Sequence, residues 1–315
     1  MAVYMPRILF LVRTILDQRQ QRRLLNGGPS LKTLLFHGVY DGESSGHPEG
    51  VDNTVFSDLK FIERCIRETL EQGYRFIHAD DLGAALVSHS RLALLTFDDG
   101  YANNRLLLPM LRRLGIPALV FVATDFMLRQ RSFWWDVLAR ETKRRCLSGV
   151  QLSAMRRELK RMPAEEIEAS LMSVYGESCF NPQFEHDRPL TVDELADFAR
   201  DPLIQIGNHT HRHALLDQCS SDVVHRELSV SQKHLTDILG KTPTMLAYPN
   251  GRWNKNVVRV AAELGLQHAF TTERALSALP LSRVAKYRIP RLMPVQDFPS
   301  LMNERSGSDK GPHSD

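Results

Sequence analysis

The sequence contains little cysteine, and what it has is scattered. The four cysteines stand at positions 65, 146, 179 and 219, and no two of them form a CxxC pair. A disulfide framework or a cysteine-ligated zinc site needs closely and regularly spaced cysteines. The observed spacing favours reduced thiols over either arrangement.

The sequence also lacks a long hydrophobic run. The apolar stretch Ile8–Val12 is bracketed by Arg7 and Arg13, whereas a secretory signal needs roughly 7–15 apolar residues and a membrane span about 20. We therefore expect no signal peptide, no transmembrane segment and a cytoplasmic protein. Residues 5–25 are rich in arginine, and two alternatives stay open for them. They form either a surface helix that contacts anionic lipid at the inner membrane, or an ordinary leading helix or extension.

Charge of one sign is not in large excess. The 40 basic and 37 acidic residues give a net charge of +3, which is too small to indicate nucleic acid binding by itself, and we expect no nucleic acid partner. With 315 residues the chain is long enough for one large α/β domain or two small domains.

Short apolar runs alternate with segments of helical periodicity along most of the chain. The pattern predicts about seven buried strands with helices between them, which indicates a closed or nearly closed α/β barrel. Residues 126–190 interrupt the alternation with charged, Met- and Glu-rich helical stretches, so we interpret them as a helical insertion on the barrel rim. We expect three regions, namely a basic segment at 1–30, the barrel at 31–300 and a disordered tail at 301–315.

Two adjacent carboxylates, Asp98 and Asp99, follow the apolar run that ends at Phe97. Sites in α/β folds are built at the carboxyl ends of such strands. Because adjacent carboxylates repel, two of them at a buried strand end cost free energy unless something positive is bound. The alternative is a helix N-cap pair or solvated loop acids.

Three histidines in five residues, His209, His211 and His213, follow another predicted strand. His209 and His213 are four positions apart, so on a helical turn both rings lie on one face. A carboxylate from another strand end completes a three-ligand site with an open position for water, as in catalytic zinc sites, and the same ligand types also suit iron. We expect His211 to point elsewhere. Solvent-facing histidines are the alternative.

These motifs resemble those of the polysaccharide deacetylase family, also called the NodB-homology group or carbohydrate esterase family 4. Thr-Phe-Asp-Asp-Gly at 96–100 and His-Thr-x-x-His at 209–213 are similar to its first two motifs, and Tyr-Pro-x-Gly at 248–251 to its third. The resemblance covers residues 31–292. It implies a distorted (β/α)7 barrel that removes an acyl group, usually N-acetyl, from a sugar with the help of a divalent metal ion.

The resemblance also implies a role for each matching residue. Asp99, His209 and His213 match the metal ligands, and Asp98 matches the catalytic base. A bound divalent ion, for which we expect one Zn²⁺ per chain, polarises the amide carbonyl and lowers the pKa of its water. The free carboxylate then takes the proton of that water.

The sequence departs from the family pattern at two places. Ala247 stands near the position where the third motif often carries an arginine that orients the base, and the C-terminal Leu-x-His motif, which supplies the general acid, has no clear match after His268. In some relatives a histidine on the first strand supplies the acid. We therefore predict that His37 is the general acid. A core histidine at this position is the alternative, and His268 is the second candidate.

Further residues flank the predicted site. Trp134, Trp135 and Asp136 resemble the rim motif of the family, in which an aromatic walls the site and an acid tunes the acidic histidine. We predict that they contact the substrate, and the tryptophans also suit a hydrophobic anchor for the insertion. The backbone N–H of Asn250, which follows the proline that fixes the turn, is predicted to donate to the oxyanion. Tyr248 either supports that loop or is a buried strand aromatic.

We therefore expect a metal-dependent deacetylase whose partner is an N-acetylated glycan, in a polysaccharide or a lipid-linked precursor. Two alternatives stay open. One is an amidase or deformylase that acts on a non-sugar amide, and the other is a non-catalytic carbohydrate-binding barrel. The departure at Ala247 favours the binding protein, whereas the intact Asp-Asp and histidine motifs favour an enzyme.

Overall fold

The computed structural model describes residues 28–45, 55–83 and 91–294. Almost all of the basic segment at 1–30 and the whole tail at 301–315 lie outside these residues, so the predictions made for them stay predictions. Within the described ranges, no helix is long and apolar enough to cross a bilayer.

A mostly parallel sheet forms the centre of the molecule. Its strand order is β10-β1-β5-β6-β7-β8-β9, and β4 pairs with the start of β5. Among the described strands of this sheet, only β10 runs antiparallel to its neighbour. Strands β2 and β3 pair with each other separately. The strands are β1 (Ser30–Phe36), β2 (Gly38–Tyr40), β3 (Phe56–Asp58), β4 (Arg75–Phe76), β5 (Arg91–Phe97), β6 (Ala118–Val122), β7 (Ile204–Asn208), β8 (Met245–Ala247), β9 (His268–Phe270) and β10 (Ser277–Ala278).

The chain segment 289–292 closes the curled sheet between β9 and β1. The amide of Ile289 donates to the carbonyl oxygen of Ala269 on β9 at 2.9 Å, and the amide of Leu35 on β1 donates to that of Leu292 at 2.8 Å. The segment therefore takes the seventh position beside β1 and β5 to β9. The predicted distorted (β/α)7 barrel is confirmed.

Helices cover the outside of the sheet. They are α1 (Gly42–Ser45), α2 (Leu59–Glu71), α3 (Leu108–Leu114), α4 (Thr124–Arg129), α5 (Trp134–Arg144), α6 (Gly149–Leu159), α7 (Ala164–Tyr175), α8 (Val192–Phe198), α9 (Ser221–Leu239) and α10 (Lys255–Glu263). Short 3₁₀ segments lie at Ala79–Gly83, Ala102–Leu107, Glu177–Phe180, Glu185–Asp187, Leu216–Gln218, Pro249–Gly251 and Ala285–Tyr287.

The alternation of side chains along β5 explains how the barrel is filled. Leu92 and Leu94 pack with Leu119 and Phe121 of β6, whereas the intervening Ala93 and Leu95 belong to the cluster that includes α2 and α3. Both faces of the strand are therefore buried, as the continuous apolar run predicts. The acidic pair Asp98 and Asp99 directly follows this buried strand.

The region predicted as an insertion contains α5, α6 and α7, and α4 begins just before it. Its apolar side chains form one cluster around Phe133, Trp134 and Trp135, and this cluster includes Tyr101 and Ala123 from the barrel. Because barrel side chains take part in the cluster, the insertion packs on the barrel rim and shapes one side of the site.

Candidate active site

One cavity of about 590 Å³ opens at the carboxyl ends of the strands. Asp98 and Asp99 directly follow β5, and His209 directly follows β7. Parallel strands end at the same edge of a sheet, so residues far apart in sequence meet there. Eight of the predicted site residues line this cavity: His37, Asp98, Asp99, Trp134, Trp135, His209, His213 and Asn250.

Asp98 forms a two-pronged ion pair with Arg291. The guanidinium donates from Nη1 to Oδ1 at 2.7 Å and from Nη2 to Oδ2 at 2.8 Å, and both side chains are buried. Burial raises the pKa of Asp98, but the positive charge of Arg291, helped by His209, outweighs it and holds the pKa at about 2. The carboxylate is therefore ionised and fixed in orientation.

Sequence analysis missed Arg291. An orienting arginine was expected near Ala247, where the sequence has none, and Arg291 was not among the residues predicted for the site. The structure brings this arginine to Asp98 from the segment that closes the barrel. The only sequence signal was a basic residue in a late apolar stretch, and nothing local in that stretch indicates the partner.

Asp99, His209 and His213 converge on one point. Their ligand atoms all lie within 4.8 Å of one another, and Asp99 Oδ1 is 3.4 Å from His209 Nε2 and 3.7 Å from His213 Nε2. That oxygen is buried and has no hydrogen-bond partner among the described residues. A buried carboxylate oxygen without a donor is costly, so these residues fit a bound cation.

The backbone orients His209 for such a role. Its Nδ1 lies 2.9 Å from the carbonyl oxygen of Ala247 and donates to it, which leaves Nε2 as the free lone pair that faces Asp99. Burial lowers the pKa of His209, but Asp98 and Asp99 outweigh this effect and raise it. Burial, with the neighbouring His209, lowers the pKa of His213 to about 3, so its ring is neutral and able to ligate.

The predicted helical turn at residues 209–213 is wrong. Thr210 and His213 adopt left-handed backbone angles, with φ of 65° and 55°, which a right-handed helix does not contain. The Asn208 side chain accepts from the amide of Thr210 at 2.8 Å, and Glu227 accepts from those of His211 and Arg212. The rings of His209 and His213 still approach to 4.9 Å between centroids, because the loop folds them together.

His211 points away from Asp99, as expected. Its Nδ1 lies 2.9 Å from the hydroxyl of Thr124, and its ring stacks on His234. It is not part of the Asp99 cluster.

The two candidates for the general acid lie in different places. His37 stands between β1 and β2 and lines the cavity with Asp98, and its backbone carbonyl accepts from the Asn104 side chain at 2.8 Å. His268 is buried on β9 and is not among the residues that line the cavity. His268 begins β9, at the end of the strand away from the cavity, so His37 is the one of the two candidates that lines the cavity.

Trp134 and Trp135 form an aromatic wall of the cavity. The Trp135 ring lies 4.7 Å from that of His213, and its Nε1 donates to the hydroxyl of Tyr101 at 2.8 Å. Tyr101 in turn donates to Asp136 at 2.6 Å. The prediction that Asp136 contacts the substrate is corrected, because this carboxylate is buried behind the wall, where it positions Tyr101.

The turn after β8 brings Asn250 to the cavity. Asn250 has a left-handed φ of 52°, and the Thr272 hydroxyl donates to its carbonyl oxygen at 3.2 Å. Tyr248 is fully buried, and its hydroxyl donates to the carbonyl oxygen of Tyr287 at 3.1 Å. Of the two alternatives for Tyr248, the structure favours the buried aromatic, because its hydroxyl is bonded to the backbone and its side chain does not line the cavity.

Comparison with known proteins gives matches to one family. The family model described as polysaccharide deacetylase matches residues 87–269. A curated relative, the putative polysaccharide deacetylase YxkH of Bacillus subtilis, is 20% identical over 264 residues, which cover 82% of this chain and 70% of the relative.

Solved structures show the same fold. The deacetylase PplD of Streptococcus pyogenes, solved in complex with acetate, has a TM-score of 0.56 at 16% identity and covers 86% of this chain and 94% of its own. A de-N-acetylase from Aggregatibacter actinomycetemcomitans has a TM-score of 0.57 at 14% identity. The match covers 84% of this chain and 94% of that protein. Since the family model matches more than half of the chain, the protein belongs to the polysaccharide deacetylase family.

Proposed function

We propose that the protein is a metal-dependent hydrolase that removes an N-acetyl group from a sugar in a polysaccharide or a lipid-linked glycan precursor. The observation that carries this proposal is the pair of neighbouring carboxylates with different surroundings. Asp98 is held by Arg291, and Asp99 stands with His209 and His213 around an oxygen without a donor. Two imidazoles and one carboxylate are a donor set that Zn²⁺ prefers.

Each residue then has one task. When bound at Asp99, His209 and His213, a divalent ion supplies Lewis-acid activation of the amide carbonyl and of a water. Asp98 is ionised at neutral pH and accepts the proton of the attacking water. His37 donates a proton to the departing nitrogen, and the Asn250 backbone N–H donates to the oxyanion.

The aromatic wall supports a sugar as the substrate. Trp134 and Trp135 line the cavity beside His213, and aromatic rings bind sugar rings through their apolar faces. An acetylated sugar stacked there lies next to the proposed metal ligands.

Metal content and acetate release test the proposal together. Purified wild type, Asp98→Asn and His213→Ala are reconstituted with Zn²⁺, and bound metal is counted before N-acetylated glycans are offered. We expect about one metal ion per chain in the wild type and in Asp98→Asn, but acetate release by the wild type alone. His213→Ala is expected to lose both the metal and the activity.

Other outcomes would contradict the proposal. Turnover by Asp98→Asn equal to the wild type excludes Asp98 as the base. A wild type that takes up no metal supports the carbohydrate-binding alternative. Release of acid from small non-sugar amides, with every N-acetylated glycan left intact, supports the amidase or deformylase alternative.

A further inference from the structure

The walls of the active-site cavity carry an excess of positive charge. Among the described residues, the carboxylates that line the cavity are Asp98 and Asp99. Asp98 is neutralised by Arg291, which lies outside the lining, and Asp99 belongs to the proposed metal site. The lining also contains four cations: Arg156, Lys160, Arg252 and Arg274.

Two of these cations have no acidic partner. Arg252 pairs with Asp217 at 2.8 Å. In contrast, no carboxylate of the described residues forms an ion pair with Lys160 or with Arg274. The side chain of Arg274 donates only to the backbone carbonyl of Met293, which carries no net charge. Their charges are left for something that enters the cavity.

The insertion places Lys160 beside a second cation. Arg156 lies on α6, and Lys160 follows the end of that helix, where its amide donates to the Arg156 carbonyl oxygen at 3.0 Å. Burial lowers the pKa of Lys160, and the positive charge of Arg156 lowers it further. Like charges one helical turn apart repel, and an anion bound between them would relieve this repulsion.

Lys160 also stands where two cavities meet. A neighbouring cavity of about 720 Å³ shares Trp134, Lys160, His213 and Asn250 with the active-site cavity. The two cavities therefore adjoin at these residues, and together they extend from the proposed metal ligands along the insertion. A substrate larger than one sugar fits this combined space, and the part beyond the reacting sugar passes Lys160.

We propose that the protein deacetylates an anionic glycan, in which a phosphate or carboxylate group next to the N-acetylated sugar is bound by Lys160, with the positive charge of Arg156 beside it. This inference rests on the proposed deacetylase function and specifies its substrate class. Arg274 adds positive charge from the opposite loop after β9 and favours entry of the same substrate. Phosphate and carboxylate share the anionic oxygens that Lys and Arg bind, and the experiment separates these two sources.

Three matched oligosaccharides test the substrate class. Acetate release is measured on a neutral N-acetylated oligosaccharide, on the same oligosaccharide with a phosphate on the neighbouring sugar, and on one with a uronic acid there. We expect kcat/KM to be about tenfold higher for at least one of the anionic substrates, because a charge-assisted contact contributes that much. This advantage is expected to fall as salt is added.

Lys160→Gln identifies the residue, and Arg157→Gln is its matched control. Arg157 is exposed on the same helix and does not line either cavity. We expect Lys160→Gln to raise KM for the anionic substrate about tenfold, with kcat and the neutral substrate unchanged, and Arg157→Gln to change neither. Equal kcat/KM for neutral and anionic substrates, or equal effects of both variants, would overturn the proposal.

A binding measurement keeps this inference separate from the catalytic proposal. The anionic and neutral oligosaccharides are titrated by calorimetry into Asp98→Asn and into Asp98→Asn/Lys160→Gln. We expect tighter binding of the anionic one, and loss of that preference in the double variant. If no glycan is turned over but this preference is found, deacetylation fails while the anion site stands. If glycans are turned over but the anionic one is not bound more tightly, the anion site is excluded while the proposed deacetylation is supported.

Discussion

Asp98 and Asp99 are neighbours in sequence but have opposite surroundings. The Asp98 carboxylate accepts two hydrogen bonds from Arg291, while one oxygen of Asp99 has no donor among the described residues. Asp99 also has a left-handed φ of 75°, which turns its side chain away from the direction of Asp98. Different surroundings suit the two adjacent carboxylates to the separate roles proposed for them, base for Asp98 and metal ligand for Asp99.

Removal of Arg291 leaves Asp98 as an unpaired buried charge. We expect Arg291→Met to lower the free energy of unfolding by about 3–5 kcal/mol and to reduce acetate release strongly, because the base loses its orientation. Urea unfolding and acetate release measure the two effects.

The double variant Asp98→Asn/Arg291→Met is the control for this pair. It is expected to regain part of the lost stability, since neither charge is then buried alone, but no activity. An Arg291→Met protein as stable as the wild type would show that the ion pair contributes nothing.

The proposed general acid has a clear test at residue scale. We expect His37→Ala to lower turnover about 10²–10⁴-fold while metal content stays at the wild-type level, because the departing nitrogen loses its proton donor. His268→Asn, at the second candidate, is expected to keep wild-type turnover in the folded protein, since His268 is outside the cavity lining. The opposite ranking of the two variants would assign the acid to His268.

Short motifs made most of the site predictable. Asp98 and Asp99 follow a buried apolar run, and His209 and His213 follow another, so their meeting at one sheet edge follows from the barrel alone. Arg291 was not predictable in this way, because it reaches Asp98 across 193 positions. The burial of Tyr248 and Asp136 also depends on tertiary packing that their own segments do not reveal.

At the scale of elements, helix starts follow the sequence closely. Thr191 and Glu194 have the spacing of a capping box, and they form one at the start of α8, with mutual bonds of 3.1 and 2.9 Å. The structure adds Arg188 and Arg105, which both bond to Glu194. Arg105 comes from the segment before α3, so a local pattern does not indicate it. The loop at 209–213 shows the reverse case, because spacing alone predicted a helical turn where side-chain contacts to the backbone impose another conformation.

Glu194 makes the start of α8 sensitive to acid. Hydrogen bonds from Arg188, with smaller help from the Thr191 backbone and Arg105, outweigh burial and lower the pKa of Glu194 from 4.5 to about 2. A depressed pKa in the folded state contributes stability above pH 4.5, and this contribution is lost as the pH falls from 4.5 towards 2.

We expect Glu194→Gln to lower the free energy of unfolding by about 1–2 kcal/mol at pH 7 and by less at pH 3. Urea unfolding at the two pH values measures this. Asp193→Asn, an exposed neighbour in the same helical turn, is expected to change stability by only a few tenths of a kcal/mol, roughly the size of a helix-dipole effect. If Glu194→Gln lowers the free energy of unfolding by the same amount at pH 7 and at pH 3, the ionised Glu194 carboxylate is not the source of the acid sensitivity.

At the scale of the whole molecule, one segment both closes the barrel and contributes a side chain to the candidate site. Residues 289–292 connect β9 to β1 and close the barrel, and the same segment carries Arg291 to Asp98. The orientation of the proposed base therefore depends on closure of the barrel, and not only on the strand that carries it. The insertion is tied to the same body, because its apolar cluster includes Tyr101 and Ala123.

Ile289 tests this connection. Its side chain is fully buried and packs with apolar residues of the barrel strands, among them Phe121, Met245 and Phe270. We expect Ile289→Ala to lower the free energy of unfolding by about 2–5 kcal/mol, because it leaves a cavity at the closure of the barrel. Val284→Ala, at a position that is 61% exposed, is expected to change it by about 0.5 kcal/mol or less.

Activity of the folded Ile289→Ala protein gives the second readout. Because Arg291 follows two positions later, we expect kcat to fall while KM changes little, since the aromatic wall and the cations of the insertion lie on other segments. Unchanged kcat in a destabilised protein would show that the Arg291–Asp98 pair forms independently of the packing at Ile289. Unchanged stability would show that the edges of the sheet are held together elsewhere, and that closure through this segment is not what fixes the barrel.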